Sequence, residues 1–205
     1  MASILKQYKV VCAPNKSSKL FESLFGETSF IDVEYGTPSD YVNKYWAKYM
    51  EVRESSSLNG KMFELIIATL FIREGLLPLY LQAKVAFVPN IEFDSLLYSH
   101  ECGPVAFSLK TSLRERYKQA DLEAIALKYV HRKAKSYLFT LEEHECYVVN
   151  EKIRNGEVIG LNRAILCSGE DFDRLIADLR KYDFCLAGNI GIIESSQIIT
   201  EDLIP

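Results

Sequence analysis

Apolar positions in this chain fall into short runs whose period changes several times. From 61 to 74 most positions are apolar, behind Asn59-Gly60 and ahead of Gly75 and Pro78. That pattern predicts a buried helix with a glycine stop. Upstream, Thr37-Pro38-Ser39-Asp40 reads as a helix start, with Ser39 as the cap and the helix running over 41–53. Downstream come three strand-like runs, 80–88, 91–98 and 105–111, parted by turns at Pro89-Asn90 and from His100 to Pro104. Ser112 then reads as the cap of a helix over 113–133, with apolar positions at 113, 117, 120, 124, 127 and 130. Residues 135–141 and 146–150 read as strands. A further strand at 164–167 precedes a helix over 170–181 behind a Ser168 cap. Residues 1–36 and 186–205 hold no single period. This order predicts an α/β fold, a mixed β-sheet flanked by helices. Ser55-Ser56-Ser57 breaks the pattern and divides an N-terminal helical extension, 1–55, from a main domain, 56–205.

Composition narrows the class without naming a function. With 48% apolar and 25% charged residues, the chain has the balance of a globular protein with one sizeable core. No apolar run reaches the roughly 18 residues of a membrane span, and the first residues lack the order of a signal peptide. The expectation is a cytoplasmic protein with no membrane contact. Its five cysteines are odd in number, scattered, and free of any Cys-x-x-Cys pair, which reads as reduced and mostly buried thiols. The net charge of −4 argues against a general nucleic-acid coat. Between Lys110 and Lys135, however, eight Lys or Arg face three acids, a local balance of +5. Either a solvated helix face or a focused contact with phosphates accounts for it.

The chemistry concentrates at 108–123. Lys110 ends an apolar strand, Arg114-Glu115-Arg116 follows four residues later, and Glu123 lies on the next helix. A strand-borne lysine beside carboxylates is what metal-assisted phosphodiester hydrolysis needs. Asp94, in the preceding strand, is the first candidate for a metal ligand, with Glu92 competing two residues earlier. Glu123 is the second candidate, at the border of an apolar helix face where an unpartnered carboxylate is costly. Glu64 on the first core helix is a third. Arg114 and Arg116 have the donor geometry for guanine O6 and N7, and Glu115 can accept from cytosine N4. Glu115 also completes Ser112-x-x-Glu, a capping box, so both roles stay open. Lys118 and Gln119 could add phosphate or base contacts. Two His-Glu-Cys tripeptides, 100–102 and 144–146, lack the spacing of a zinc finger. Trp46, between Tyr45 and Tyr49, reads as core or dimer contact before base stacking.

Asp94 in the second strand and Ser108-Leu109-Lys110 in the third resemble the PD-(D/E)xK nuclease core, with Ser108 in place of the triplet's acid. The type II restriction endonucleases of the CCGG family make this same replacement. They carry a glutamate twelve or thirteen residues after the lysine and an Arg-(Asp/Glu)-Arg cluster four residues after it. Here twelve residues separate Lys110 from Glu123, and Arg114 comes four after Lys110. The resemblance is strong over 94–123 and looser over 60–180, and the 16-residue step from Asp94 to Lys110 is shorter than that family's usual gap. It implies a restriction-endonuclease-like fold. It also implies a catalytic set of Asp94, Ser108, Lys110 and Glu123, with Mg²⁺ held by Asp94, Glu123 and Glu64. DNA reading falls to Arg114, Glu115, Arg116, Lys118 and Gln119. The implied partners are double-stranded DNA and a second copy of the chain, with a DNA methyltransferase encoded nearby. Residues 1–55 would then serve dimerisation or DNA contact. A structure-specific repair nuclease or junction resolvase of this fold, and a catalytically silent DNA-binding module, are the competing readings.

Overall fold

A computed structural model describes residues 3–26, 29–52, 58–88, 90–188 and 193–204. The expected joint at Ser55–Ser57 and the turn residue Pro89 lie outside the described residues. Four helices, α1 (Ile4–Gln7), α2 (Lys16–Phe25), α3 (Pro38–Glu51) and α4 (Asn59–Arg73), precede three strands, β1 (Leu79–Val85), β2 (Phe93–Ser99) and β3 (Gly103–Leu109). Then follow α5 (Arg116–Val130), β4 (Lys135–Thr140), α6 (Glu143–Arg154), β5 (Arg163–Leu166), α7 (Glu170–Leu179) and β6 (Ile193–Ile199).

The strands form one sheet in the order β5-β4-β3-β2-β1-β6. β1, β2 and β3 make an antiparallel meander, β4 and β5 continue it in parallel, and β6 closes the far edge antiparallel to β1. The crossovers from β3 to β4 and from β4 to β5 run through α5 and α6, as parallel neighbours require. The expected mixed sheet is therefore present.

Three layers result. α4 is buried on almost every side from Met62 to Ile72, which explains why only Glu64 and Thr69 interrupt its apolar run. Its Phe71 meets Phe107 and Phe139 edge-on, at ring separations of 5.0 and 6.2 Å. α1, α2, α3 and α7 pack on the same side, in one apolar cluster with Val105, Phe107 and Leu109 of β3. The N-terminal helices thus share the core of the main domain. On the opposite face, α5 and α6 cover Ala106 of β3, Leu138 of β4 and Ala164 of β5.

Several local expectations need correction. Residues 146–150 are helical, within α6. Cys146 and Val149 bury one helical stripe, while Glu143 and Glu145 at the start and Lys152 and Arg154 at the end suit the helix dipole. Ser39 is not the cap of α3: Thr37 is, in a capping box with Asp40. The Ser39 amide and hydroxyl instead donate to Asp173 of α7, at 2.7 and 2.8 Å. At α7 the cap position belongs to Gly169 rather than Ser168. β6 escaped notice because its middle, Glu194 to Gln197, is polar. The glycine stop of α4 is as expected, with Gly75 at φ +67°.

Candidate active site

The site forms where β2 and β3 part. Their ladder pairs Ser95 with Phe107, so one step further Asp94 stands opposite Ser108. Beyond that point the Asp94 carboxylate replaces the ladder: its Oδ2 accepts the Leu109 amide at 2.7 Å and Lys110 Nζ at 2.8 Å. The Lys110 amide in turn donates to Phe139 O of β4 at 3.0 Å, which continues the parallel pairing past the end of β3. Asp94 and Lys110 are therefore fixed from both sides of one strand end. Their side chains are 17% and 19% exposed, dry enough to strengthen the pair and open enough to meet a ligand.

Two more carboxylates approach from opposite layers. Glu64, on α4, accepts from Lys61 Nζ at 2.8 Å and from Gln82 Nε2 at 3.3 Å. Glu123, on α5, accepts from Gln119 Nε2 at 2.7 Å. Burial holds both carboxyls above the ordinary carboxylate range. The charge of Asp94 adds to each rise, and the lysines and Gln119 pull the other way without cancelling it. The charges of Asp94 and Lys110 thus reach both glutamates. Three carboxylates against Lys110 and Lys61 leave an excess of negative charge at a partly dry site. Among the described residues no three His, Cys, Asp or Glu side chains close into a ready-made metal cage. Zinc at the His-Glu-Cys tripeptides gains no support: Cys102 sits in the turn before β3 and Cys146 within α6. All five cysteines are free.

Ser108 lies in a narrow slot beneath α5 together with Glu123, Ala120 and Ala124. The glutamate therefore lines the same slot as the serine expected at the triplet's acidic position. On the other side, a cleft of about 400 Å³ opens against Glu64 and Asp94, walled by Val10 to Ala13, Gln82, Ser95, Ser196 and Gln197. Gln82 went unnoticed in the sequence. It carries φ +48° in the middle of β1, an uncommon conformation for a side-chain-bearing residue.

The Arg114-Glu115-Arg116 segment departs from expectation. α5 starts at Arg116, with no side-chain cap among the described residues, so Ser112 neither caps it nor forms a box with Glu115. The helix starts late because the Leu113 and Arg114 amides donate to the Glu145 carboxylate, at 2.5 and 3.0 Å, and Arg114 adopts φ +39°. Glu145, at the start of α6, is thus the anchor of this loop. All three side chains of the segment are exposed. Glu115 pairs with Lys118 across one helical turn, and Gln119 is engaged by Glu123. The basic stretch is also divided. Fifteen residues of α5 span about 22 Å, which leaves Arg114 to Lys118 at the site and Lys128 to Lys135 towards the far end.

Other candidates fall away. Glu92 is exposed and precedes β2. Trp46 packs against Tyr49 and Phe63, at 5.3 and 6.1 Å, as part of the core.

No protein-family model and no curated protein matches the sequence. Among solved structures the chain is similar to restriction endonuclease PspGI in its complex with substrate DNA. The TM-score is 0.59 over 82% of this chain and 83% of that one, at 15% sequence identity. The fold is restriction-endonuclease-like. Among the described residues no helix is long and apolar enough to cross a membrane.

Proposed function

We propose that the protein is a type II site-specific deoxyribonuclease, hydrolysing double-stranded DNA with Mg²⁺ at a short palindrome containing adjacent C:G pairs. The observation that carries this reading is the Asp94–Lys110 pair at the parting of β2 and β3, flanked by Glu64 from one layer and Glu123 from the other. The likeness to an endonuclease solved on its DNA supports the same reading.

The residues fit a hard divalent cation. Both of these hydrogen bonds to Asp94 fall on Oδ2, and neither occupies Oδ1. The excess negative charge of Asp94, Glu64 and Glu123 matches a cation that needs only one or two carboxylates and keeps several waters. Bound there, Mg²⁺ would supply charge neutralisation at the phosphate and a more acidic water. The protein's own groups account for the rest. Leu109 N and Lys110 Nζ hold Asp94 in one orientation, and the Lys110 ammonium offers positive charge to the scissile phosphate. Arg114, exposed on a loop that Glu145 fixes, and Arg116, exposed at the start of α5, present guanidinium forks to base edges.

Cutting both strands of a palindrome calls for two copies related by a two-fold axis, so we assign the working unit as a homodimer. Residues 1–55 would contribute to that contact or to DNA. A methyltransferase encoded nearby would protect the host's own sites.

One observation favours a structure-specific nuclease as the second reading. Glu115 and Gln119 are engaged within the helix, and in that reading Arg114 and Arg116 contact phosphates. Plasmid digestion with Mg²⁺, followed by sequencing of the fragment ends, decides. Discrete fragments abolished by EDTA support the site-specific enzyme, and a smear supports the second reading. Absence of any cutting leaves a DNA-binding module.

A further inference from the structure

We infer that Ser136 is a positioning residue for Glu123, acting through a single water held in the slot beneath α5. This rests on the proposed role of Glu123 and extends it.

Ser136 lies on β4, paired in register with Ala106 of β3, so both side chains face α5. It is 3% exposed, and its Oγ is one of two buried side-chain polar atoms without a hydrogen-bond partner among the described residues. Leaving a buried hydroxyl unpaired is costly, and buried hydroxyls accordingly find a partner in protein or water. The slot it lines also holds Ser108 and Glu123. Its walls are small where α5 crosses the sheet, with Ala106, Ala120 and Ala124, and the space for water amounts to about 10 Å³. That is the room one water molecule takes, provided two or more polar groups surround it. Two hydroxyls and a carboxylate meet the condition. The bridged water satisfies Ser136, completes Ser108, and gives the Glu123 carboxylate a fixed partner on the sheet side. Gln119 holds the same carboxylate from the helix side. A serine at 108 thus does more than vacate space for Glu123: with Ser136 it builds a seat for it.

The test compares wild type with Ser136→Ala in crystals diffracting well enough to show water, alongside Mg²⁺ titration calorimetry and single-turnover cleavage. The expected result is a water bridging Ser108, Ser136 and Glu123 in wild type. In S136A it is lost, the Glu123 side chain is less ordered, and Mg²⁺ binds about 10- to 100-fold more weakly, the range for lost outer contacts of a metal ligand. Cleavage falls in kcat with KM for DNA unchanged, and the thermal midpoint hardly moves, which separates positioning from a folding defect. A dry slot in wild type overturns the inference, as does an unchanged Glu123 with unchanged Mg²⁺ affinity in S136A. If the water and its loss are seen but wild type cuts no DNA, the seat stands and the nuclease reading falls. If DNA is cut and the slot is dry, the seat alone is wrong.

Discussion

Replacing Lys110 by Met tests the centre of the site because it removes the ammonium and keeps most of the apolar stem. Two consequences differ in size. For stability, the Asp94 carboxylate loses a partner at 2.8 Å but keeps the Leu109 amide bond and remains 17% exposed. Such a group, neither fully buried nor fully stripped of donors, costs about 1–2 kcal/mol when its charged partner is removed. In a chain of this length that lowers the thermal midpoint by about 2–8 °C. For catalysis, the lost charge is aimed at the phosphate where negative charge builds. Removing one preorganised donor from such a position slows chemistry by about 10²–10³-fold, or roughly 3–4 kcal/mol. Folded domains hold about 5–15 kcal/mol in reserve, so at 25 °C the variant is still folded and the rate loss cannot be attributed to unfolding. The assay is single-turnover plasmid cleavage at saturating Mg²⁺, with a thermal melt on the same sample. A variant cutting within about threefold of wild type would refute the catalytic role of the lysine, whatever its melting temperature.

Three further outcomes follow from the same geometry. Glu64→Gln should raise the thermal midpoint of the metal-free protein at pH 8 and leave it unchanged at acid pH. Burial raises the folded-state titration of Glu64, so its stability contribution is full below the unfolded value and is lost as pH rises through the folded one, a loss that Gln does not suffer. Mg²⁺ should raise the midpoint of wild type and do less for the variant; equal melts at both pH values would count against a strained carboxylate. Arg114→Gly should fold at least as stably as wild type, because glycine accepts φ +39° without strain, yet lose about 1–3 kcal/mol of discrimination between cognate and mismatched DNA in competition binding. Unchanged discrimination would remove Arg114 from base reading. Glu145→Ala should free the Leu113 and Arg114 amides, speed their hydrogen exchange, and weaken specific DNA binding while sparing Mg²⁺ affinity; slow exchange in the variant would show that the loop is held by something else.

What the sequence revealed and what it hid follow one physical division. The strand-end lysine, the aspartate across from Ser108 and the glutamate on α5 could be picked out as candidates because the proposed chemistry restricts residue type, and spacing along one strand and one helix survives folding unchanged. Glu64 was legible for a related reason, as an acid interrupting an apolar helix. Long apolar runs likewise gave α4 and the strands of the meander. The caps were not legible. Ser39, Ser112 and Ser168 all have the right chemistry, but each position was decided by a partner distant in sequence or by a neighbouring residue. Asp173 claims Ser39, Glu145 claims the amides after Ser112, and Gly169 takes the place expected of Ser168. α6 was misread for a similar reason: Cys146 to Asn150 favours strand locally, and burial of Cys146 and Val149 against the sheet overrides that preference.

The same division bears on recognition. A loop whose amides are held by Glu145 from another helix keeps Arg114 exposed after the strand end that carries Lys110, an arrangement that no period in the chain encodes. Had Ser112 capped a helix from 113, the Glu115 carboxylate would have been spent on its amide, and Arg114 and Arg116 would project from a regular first turn. With the helix starting at Arg116, Glu115 is committed only to an exposed pairing with Lys118, which water and salt screen. On the proposed reading a base edge has to displace that exposed pairing, and on the second reading the pairing stays in place.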